Sequence, residues 1–417
     1  MGDKLFLTGG KRLQGEVRAS GAKNAALPII NAAILAKGET QLDDIPDLRD
    51  VFHLQQILES MGVGVAYDQG TMTINPEKAH FAEPPYELVR KLRASYYLLG
   101  VLLARNGEAR IALPGGCAIG NRPIDLHLKG FKALGADVHL DHGVVEVKAK
   151  RKLKGAKIYL DYPSVGATVN IMLAASRAEG QTVIENAARE PEIIDLANML
   201  TVMGARIKGV GTDIVKVEGV DQLSSTQHRI IPDRIESGSY MIAAAATRGD
   251  VYVRNSLCEH LKSLLAKLKE MGVKIEEDIE GVRVTAPNSL KGIDVKTLPH
   301  PGFPTDLQPQ MMALLTQAEE GTSLVIETVF ENRFMHVDEL KRMGADIKLD
   351  GRGAIVKPSR LSGAKVWATD LRAGVAMIIA GLAAEGETQI NDFFHVERGY
   401  EKIEEKFKGL GADLHLE

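Results

Sequence analysis

Apolar and polar positions follow one pattern along this chain, and the pattern recurs six times. In each recurrence an amphipathic helical stretch ends in an apolar residue, a glycine and then alanine or valine. Neighbouring glycines of the pattern lie 67 to 73 residues apart. A fixed period of this kind predicts repeated supersecondary units that share a core. The six glycines are Gly62, Gly135, Gly204, Gly272, Gly344 and Gly411.

Each unit begins with a segment of small and apolar residues that contains no charged side chain. Apolar residues lie on all sides of these segments, so the pattern predicts buried helices. The six segments are Asn24–Ala36, Ala94–Ala104, Val165–Ser176, Ser237–Thr247, Leu307–Ala318 and Ala373–Ala384.

The fourth unit illustrates the elements expected after each buried helix. Leu261–Met271 has the apolar spacing of an amphipathic helix, and Gly272 fits the position just after its C-cap. The alternating segments Val273–Glu276 and Val282–Thr285 predict a strand pair. Short strands such as Gln181–Glu185 are expected between the two helices of a unit.

Six units in 417 residues predict an α/β protein of two domains with three units each. We expect residues 22–230 to form one domain, and residues 1–21 and 231–417 to form a second, discontinuous one. The first 21 residues show strand character at Lys4–Thr8 and are expected to pair with the second half of the chain. The chain is expected to cross between the domains near residues 21–22 and 228–232.

The composition excludes several classes of function. The net charge of −4 gives no reason to expect nucleic acid or an anionic membrane as a partner. Uncharged runs such as Asn24–Ala36 and Pro163–Ser176 are too short to cross a bilayer, and the first residues lack the apolar core of a signal peptide. We therefore expect a cytoplasmic protein with reduced thiols.

Motifs for common cofactors are absent from the sequence. There is no GxGxxG after a strand, no GxxxxGK[ST] and no CxxC, and the eleven histidines show no spacing typical of metal ligands. We expect neither a cofactor nor a metal.

The segment LPGGCAIGNRPIDL, Leu113–Leu126, combines glycines with a cysteine and an arginine. Glycines permit an irregular loop, and a thiol close to a fixed positive charge is more reactive. Cys117 and Arg122 are therefore candidates for chemistry and for holding phosphate or carboxylate. A glycine turn with an incidental cysteine explains the same residues, and a disulfide between Cys117 and Cys258 remains open.

The predicted starts of the buried helices carry capping and charged residues. Helix N-termini attract anions, and capping is also a general feature of helices. Several cations at equivalent points of a repeat fit a substrate with several anionic groups. The predicted caps are Ser20, Ser164, Asp233, Thr305, and Thr369 or Asp370. The charged residues at these starts are Lys23, Arg93, Asp306 and Arg372. Three further arginines, Arg122, Arg333 and Arg398, are expected outside the helices.

Seven segments from nearly the whole chain are specific enough to compare with known families. They are SGAKNAALP (Ser20–Pro28), LPGGCAIGNRP (Leu113–Pro123), PSVGATVNIM (Pro163–Met172), FPTDLQ (Phe303–Gln308), ENRFMHVDEL (Glu331–Leu340), ATDLRAG (Ala368–Gly374) and ERGYEKIEEK (Glu397–Lys406). Together they resemble the UDP-N-acetylglucosamine branch of the enolpyruvyl transferase family. The sister branch, which acts on shikimate 3-phosphate, typically carries Ser-Lys-Ser near the start and lacks the cysteine loop. The one departure is Asn121, where alanine is frequent, and we expect no functional effect from it.

The resemblance implies a fold and a reaction. The fold is a pair of inverse α/β barrels joined by a double linker, which close over the substrates. The reaction moves the enolpyruvyl group of phosphoenolpyruvate to the 3-hydroxyl of UDP-N-acetylglucosamine through a tetrahedral ketal and releases phosphate. This is the first committed step of peptidoglycan synthesis, and it needs no metal.

The resemblance also implies roles for individual residues. Asp306 would be the base near the 3-hydroxyl, and Cys117 would deliver the proton to C3 of phosphoenolpyruvate. Arg333 and Arg372 would be secondary residues that serve closure. The residues expected to bind phosphoenolpyruvate are Lys23, Asn24, Cys117, Arg122 and Arg398. The residues expected to bind the sugar nucleotide are Arg93, Arg122, Pro123, Ile124, Asp125, Leu126, Tyr162, Pro163, Ser164, Val165, Gly166, Asp306 and Val329.

Two alternative functions stay open at this point. The first is an enolpyruvyl transferase that acts on shikimate 3-phosphate, which a substrate test separates from the main interpretation. The second is a non-catalytic protein that binds nucleotide sugars. The presence of Lys23, Cys117 and Asp306 together argues against the second alternative.

The implied closure leads to a first testable prediction. If the two domains close around the substrates and expel water, the radius of gyration falls when UDP-N-acetylglucosamine is added. Small-angle scattering with and without the sugar nucleotide measures this change. An unchanged radius of gyration would contradict closure.

Overall fold

A computed structural model describes residues 4–80, 83–113 and 124–417 of the chain. Contacts divide these residues into two compact units. The first unit contains the described residues between 21 and 231, and the second unit contains residues 4–20 and Pro232–Glu417. Each unit has a hydrophobic core of its own.

Thirteen α-helices form within the described residues. They are α1 (Lys23–Ala33), α2 (Arg49–Ser60), α3 (Tyr86–Val89), α4 (Tyr97–Asn106), α5 (Asp125–Ala133), α6 (Val165–Ala175), α7 (Pro191–Val202), α8 (Arg234–Ala246), α9 (Lys262–Glu270), α10 (Gln308–Leu315), α11 (His336–Arg342), α12 (Leu371–Ala383) and α13 (Ile403–Gly409). Short 3₁₀ helices cover Arg93–Tyr96, Cys258–His260, Thr305–Leu307 and Phe393–Arg398.

The same residues form 25 strands, most of them three to six residues long. They are β1 (Leu5–Thr8), β2 (Gln14–Arg18), β3 (Ala36–Lys37), β4 (Thr40–Asp43), β5 (Gly64–Asp68), β6 (Thr71–Asn75), β7 (Glu108–Ala112), β8 (Ala136–Asp141), β9 (Val144–Ala149), β10 (Lys157–Tyr159), β11 (Gln181–Glu185), β12 (Arg206–Lys208), β13 (Ile214–Glu218), β14 (Leu223–Ser224), β15 (Gln227–Arg229), β16 (Asp250–Arg254), β17 (Lys274–Glu277), β18 (Gly281–Thr285), β19 (Val295–Lys296), β20 (Ser323–Ile326), β21 (Ile347–Asp350), β22 (Gly353–Val356), β23 (Lys365–Trp367), β24 (Glu387–Asn391) and β25 (Asp413–Leu416).

The first unit has three sheets of three or four strands around buried helices. The sheet orders are β15-β4-β6-β5, β7-β9-β8 and β10-β11-β13-β12, and β3 pairs with β14 in a two-stranded ribbon. Helix α4 packs against both α1 and α6, and these three helices are almost wholly buried. Along the chain, the amphipathic helix α2 follows the buried helix α1, α5 follows α4, and α7 follows α6.

The second unit repeats this plan with the sheets β17-β18-β16-β2, β19-β20-β22-β21 and β23-β24-β1-β25. Its buried helices α8, α10 and α12 pack against one another pairwise. The N-terminal strands complete two of its sheets: β2 runs parallel to β16, and β1 lies antiparallel between β24 and β25. Each of these three sheets has two inner strands. One of them, β16, β20 or β24, has one parallel and one antiparallel partner. The other, β18, β22 or β1, has two antiparallel partners.

All six glycines of the sequence repeat have positive φ angles, between 80° and 112°. Gly272, for example, follows the C-cap Met271 of α9 at φ 97°. The predicted role of these glycines as helix terminators is therefore confirmed. Only glycine adopts this backbone conformation without steric cost.

Three of the predicted helix caps are confirmed. Ser164, Asp233 and Asp370 accept hydrogen bonds from the first turns of α6, α8 and α12. The choice between Thr369 and Asp370 is thereby settled in favour of Asp370.

Two of the predicted caps are wrong. Helix α1 starts one turn after Ser20, with Ala22 at its N-cap, and the Ser20 hydroxyl instead donates to Glu401 at 2.5 Å. Thr305 lies inside a 3₁₀ turn and its hydroxyl donates to Glu327 at 2.9 Å. Both hydroxyls are engaged by distant carboxylates that local sequence does not reveal.

No helix in the described ranges is both long and apolar enough to span a lipid bilayer.

The repeat glycines allow a test of backbone strain. A Cβ at Gly272 would meet no atom closer than 3.7 Å, so Gly272→Ala isolates the cost of the positive φ. We expect a loss of about 1–2 kcal/mol in the free energy of unfolding, measured by urea denaturation. Gly409→Ala is the matched control, because Gly409 has ordinary helical geometry with open space around it. Gly409→Ala should raise the free energy of unfolding by about 0.5–1 kcal/mol. Equal effects of the two substitutions would contradict a special backbone requirement at Gly272.

Candidate functional site

Asp306 is the centre of the charged groups in the second unit. It lies in the 3₁₀ turn directly before α10, and about a quarter of its side chain is exposed. Its Oδ1 accepts from Arg333 Nη2 at 3.1 Å, and its Oδ2 accepts from Arg372 Nη2 at 2.9 Å. Both arginine side chains are at most 5% exposed. The carboxylate is therefore reachable from solvent while its two partners are not.

Arg372 stays charged inside the protein because of its surroundings. Burial alone would lower its pKa, but the carboxylate of Asp306 raises that pKa above the ordinary value. Its guanidinium lies over the ring of Tyr400, 5.5 Å from the centroid. Asp370 fixes the first turn of α12 by accepting from the backbone N–H groups of Arg372 and Ala373 at 2.8 and 3.2 Å.

The two arginines have more donors than Asp306 can accept. Arg333 Nε and Arg372 Nη1 are buried, and neither has a hydrogen-bond partner among the described residues. His336 Nδ1 lies 3.2 Å from the backbone oxygen of Arg333, and burial lowers the pKa of His336 to about 4. The imidazole is thus neutral near pH 7, and the cluster carries a surplus of positive charge that favours an anionic ligand.

Glu327, directly after strand β20, organises the surroundings of two predicted site residues. Its buried carboxylate accepts from the hydroxyl of Thr305, next to Asp306, at 2.9 Å. It also accepts from the backbone N–H groups of Val329 and Phe330 at 2.7 and 3.1 Å. Sequence reasoning missed this residue, and its only local signal was a carboxylate immediately after an apolar strand.

Arg398 ends the 3₁₀ helix Phe393–Arg398 and is partly buried. Burial lowers the pKa of neighbouring His395, and the positive charge of Arg398 lowers it further. His395 therefore tends to be neutral beside a charged arginine.

In the first unit, Lys23 is the first residue of α1. Its Nζ lies 2.7 Å from Asp50 Oδ2, and both side chains are nearly buried. A cation at a helix N-terminus is electrostatically unfavourable, so the Asp50 carboxylate offsets this cost. Asn24 follows and is partly buried. Sequence reasoning identified Lys23 but not Asp50, which lies on α2.

A second group in the first unit forms around the start of α6. Ser164 caps this helix and accepts from Ala167 N at 3.3 Å. Gly166 lies so close to α5 that an added Cβ would be 2.9 Å from the ring of His127. Tyr162 is more exposed, and Pro163 and Val165 are partly buried beside it.

His127 links this group to two other predicted segments. It lies on α5 just after Ile124, Asp125 and Leu126, and the positive charge of Arg93 acts on its ring. Burial lowers its pKa to about 3, with a further contribution from Arg93. The structure thus brings together Arg93, the start of α5 and the start of α6.

The protonation of His127 follows from its neighbour Asn170. Asn170 Oδ1 accepts from Gly100 N at 2.9 Å, and its Nδ2 donates to the oxygen of Tyr96 at 3.0 Å. The same Nδ2 is 2.8 Å from His127 Nδ1, which must therefore accept. The proton of the neutral ring is on Nε2, the atom near Gly166. Sequence reasoning missed His127 because its Asn170 partner is 43 residues away.

Cys117, Arg122 and Pro123 lie outside the described residues, so their roles stay predictions. Cys258, the cysteine within the described residues, is partly buried. Burial and, to a lesser degree, a hydrogen bond with Glu277 raise the pKa of its thiol to about 11. In the part of the chain that the structure describes, no group of His, Cys, Asp and Glu residues could hold a metal ion.

Comparison with known proteins identifies relatives that are all named as carboxyvinyltransferases. A family model described as EPSP synthase (3-phosphoshikimate 1-carboxyvinyltransferase) matches residues 7–407. The UDP-N-acetylglucosamine 1-carboxyvinyltransferase of Halothermothrix orenii is 70% identical over 411 residues, which cover 99% of each chain. The UDP-N-acetylglucosamine 1-carboxyvinyltransferase 1 of Caldanaerobacter subterraneus is 57% identical over 404 residues, 97% of each chain.

A solved structure shows the same likeness in three dimensions. The enolpyruvyl transferase NikO from Streptomyces tendae matches with a TM-score of 0.90 at 26% identity, over 100% of this chain and 99% of that chain. The predicted fold class is therefore confirmed.

The buried pair of Lys23 and Asp50 can be tested directly. Asp50→Asn leaves a buried ammonium without its carboxylate, and we expect a loss of about 3 kcal/mol in the free energy of unfolding. Urea denaturation measures this loss. Asp137→Asn is the control in the same unit, because its pair with Lys150 is largely exposed, and it should leave the midpoint unchanged. Similar urea denaturation midpoints for Asp50→Asn and Asp137→Asn would contradict a stabilising role of the buried Lys23–Asp50 pair.

Proposed function

This chain belongs to the EPSP synthase family of enolpyruvyl transferases, and we infer that it is a UDP-N-acetylglucosamine 1-carboxyvinyltransferase. It transfers the enolpyruvyl group of phosphoenolpyruvate to UDP-N-acetylglucosamine and releases phosphate. The observation that carries this conclusion is 70% identity to such an enzyme over 99% of both chains. The reaction starts peptidoglycan synthesis, and the two substrates and the low cysteine content favour a cytoplasmic location.

We propose Asp306 as the general base of the addition step. The 3-hydroxyl oxygen of the sugar attacks C2 of phosphoenolpyruvate, and its proton passes to the Asp306 carboxylate. A carboxylate has about four lone-pair sites, and the two arginines take one on each oxygen. About a quarter of the Asp306 side chain is exposed, so a substrate hydroxyl can reach this carboxylate.

We propose Cys117 as the acid that adds a proton to C3 in the same step. The resulting ketal then loses a proton from C3 and breaks the bond from C2 to the phosphate oxygen. This restores the double bond and releases phosphate. Lys23, Asn24, Arg122 and Arg398 would hold the phosphate and carboxylate of phosphoenolpyruvate, and fixed cations stabilise the charge of the ketal.

We assign the sugar nucleotide to residues around α5 and α6. Val329 and Asp306 are the further residues that we predict to bind it. The N-terminus of α6, capped by Ser164, offers backbone N–H groups to a diphosphate. Arg93 supplies positive charge close by, and His127 presents a neutral N–H donor. These features support the assignment of residues 122–126 and 162–166 to UDP-N-acetylglucosamine.

The competing function is transfer to shikimate 3-phosphate, because the matching family model carries the name of that enzyme. A phosphate-release assay with phosphoenolpyruvate and either acceptor separates the two. We expect phosphate only with UDP-N-acetylglucosamine. Release only with shikimate 3-phosphate would reverse the conclusion, and release with neither would favour the non-catalytic alternative.

Asp306→Asn tests the proposed base. The amide has nearly the same shape but cannot accept the hydroxyl proton, so turnover should fall about 10²–10⁴-fold while the sugar nucleotide still binds. Asp346→Asn is the control in the same unit, since Asp346 pairs with Lys357 at an exposed position, and it should keep full turnover. Turnover of Asp306→Asn within a few-fold of wild type would remove Asp306 from the mechanism.

Cys117 can be tested by alkylation. With UDP-N-acetylglucosamine bound, a phosphonate epoxide such as fosfomycin should add once, on the peptide that contains Cys117. Cys258 provides an internal control, because a thiol with a pKa of about 11 is almost fully protonated at neutral pH. Peptide mass spectrometry locates the adduct, and an adduct on Cys258 would contradict the assignment.

Two substitutions separate the acid role of Cys117 from its nucleophilicity. Cys117→Asp should stay active without being alkylated, whereas Cys117→Ala should lose most turnover. A carboxyl group has a reference pKa near 4 against about 8.5 for a thiol, so its protonated fraction falls at lower pH. The activity of Cys117→Asp should therefore decline at lower pH than that of wild type. Wild-type turnover by Cys117→Ala would refute the acid role.

A further inference from the structure

Tyr400, a residue with no assigned role, closes a ring of contacts around Asp306. Arg372 donates to the Asp306 carboxylate at 2.9 Å and lies over the ring of Tyr400. Gln310 Nε2 donates to the Tyr400 hydroxyl at 3.2 Å and to the backbone oxygen of Asp306 at 3.0 Å. We call Asp306, Arg372, Tyr400 and Gln310 the tyrosine circuit. It fixes Asp306 at both its side chain and its backbone.

The backbone oxygen of Asp306 can only accept a hydrogen bond, so the amide nitrogen of Gln310 must face it. Ser239 Oγ lies 2.8 Å from the backbone oxygen of Ile235 and 2.7 Å from the Tyr400 hydroxyl, and either hydroxyl can be the donor in the contact between Ser239 and Tyr400. Burial raises the pKa of Tyr400, so this hydroxyl keeps its proton at neutral pH.

The charged groups around the circuit come from several elements. Arg333, before α11, faces Asp306 together with Arg372, and Asp233, at the start of α8, acts on both Arg372 and Tyr400. Asp370 and Arg333 act on His336, which is neutral near pH 7. The arginines are the groups that favour the ionised form of Asp306, so its readiness to accept a proton depends on their placement.

We propose that Tyr400 is a positioning residue that sets the basicity and orientation of Asp306 through Arg372 and Gln310. This inference rests on the proposed role of Asp306 as the base. The tyrosine ring supports the Arg372 guanidinium, and the hydroxyl holds Gln310 against the Asp306 backbone. Tyr400 is 2% exposed and acts only through these two neighbours.

Two substitutions separate the contributions of the ring and the hydroxyl. Tyr400→Phe keeps the ring and the volume but removes the hydroxyl, and we expect kcat to fall about 10-fold with the KM of both substrates within about twofold. Tyr400→Leu also removes the aromatic face under Arg372 and should lower kcat further. Because Arg372 then holds the carboxylate less firmly, the acid limb of the kcat profile should move up by about half a pH unit or more.

Tyr240→Phe is the matched control. Tyr240 is equally buried in the same unit, but its hydroxyl donates to Glu236 at 3.4 Å and, among the described residues, forms no hydrogen bond with a member of the tyrosine circuit. It should leave kcat and the pH profile unchanged. Thermal unfolding of all variants identifies any general loss of stability.

A second measurement does not require turnover. Carbon-13 NMR of protein labelled at aspartate carboxyl groups, with Asp306→Asn to assign the signal, gives the titration of Asp306 directly. The proposal expects this titration at higher pH in Tyr400→Leu, which lacks the aromatic face under Arg372, than in wild type, Tyr400→Phe and Tyr240→Phe. An unchanged titration in Tyr400→Leu would overturn the proposal, even where its activity is reduced. If the proposed function itself is wrong, the outcome is different: the wild-type protein releases no phosphate.

Discussion

The carboxylate of Asp306, held between two buried guanidinium groups, is the interaction around which the charged residues of the second unit are arranged. Two buried cations are tolerated there because the carboxylate offsets their charge and the Tyr400 ring supports one of them. Removing the carboxylate would take away the ion-pair partner that the two arginines share. A net charge of only −4 therefore coexists with a local cluster of arginines.

The fold was predictable because its determinants are local. Six glycines at a regular interval, each needed for a positive φ after a helix, revealed the repeat, and uncharged segments revealed the buried helices. The boundaries were less accurate: residues 94–96 belong to a 3₁₀ turn before α4 rather than to the α-helix. The caps at Ser20 and Thr305 failed because the Glu401 and Glu327 carboxylates, remote in sequence, take their hydroxyls.

The sequence identified candidate site residues such as Asp306 but not the residues that support them. Segments such as FPTDLQ resemble a known family strongly enough to suggest Asp306, and the structure then places Arg333 and Arg372 on it. Asp50, His127 and Glu327 carry no motif, and each acts through a residue at least 22 positions away or through a neighbouring backbone group. Such partners become visible only when the chain is folded, because sequence patterns report periodicity rather than long-range contacts.

The proposed enolpyruvyl transfer proceeds by addition and elimination, with a proton added to C3 of phosphoenolpyruvate. The most direct test runs the wild-type reaction in heavy water and examines the vinyl group of the product by NMR. Addition–elimination predicts deuterium on that carbon, since the ketal's methyl group contains one solvent-derived hydrogen. A product formed at the normal rate without any deuterium would contradict the claim.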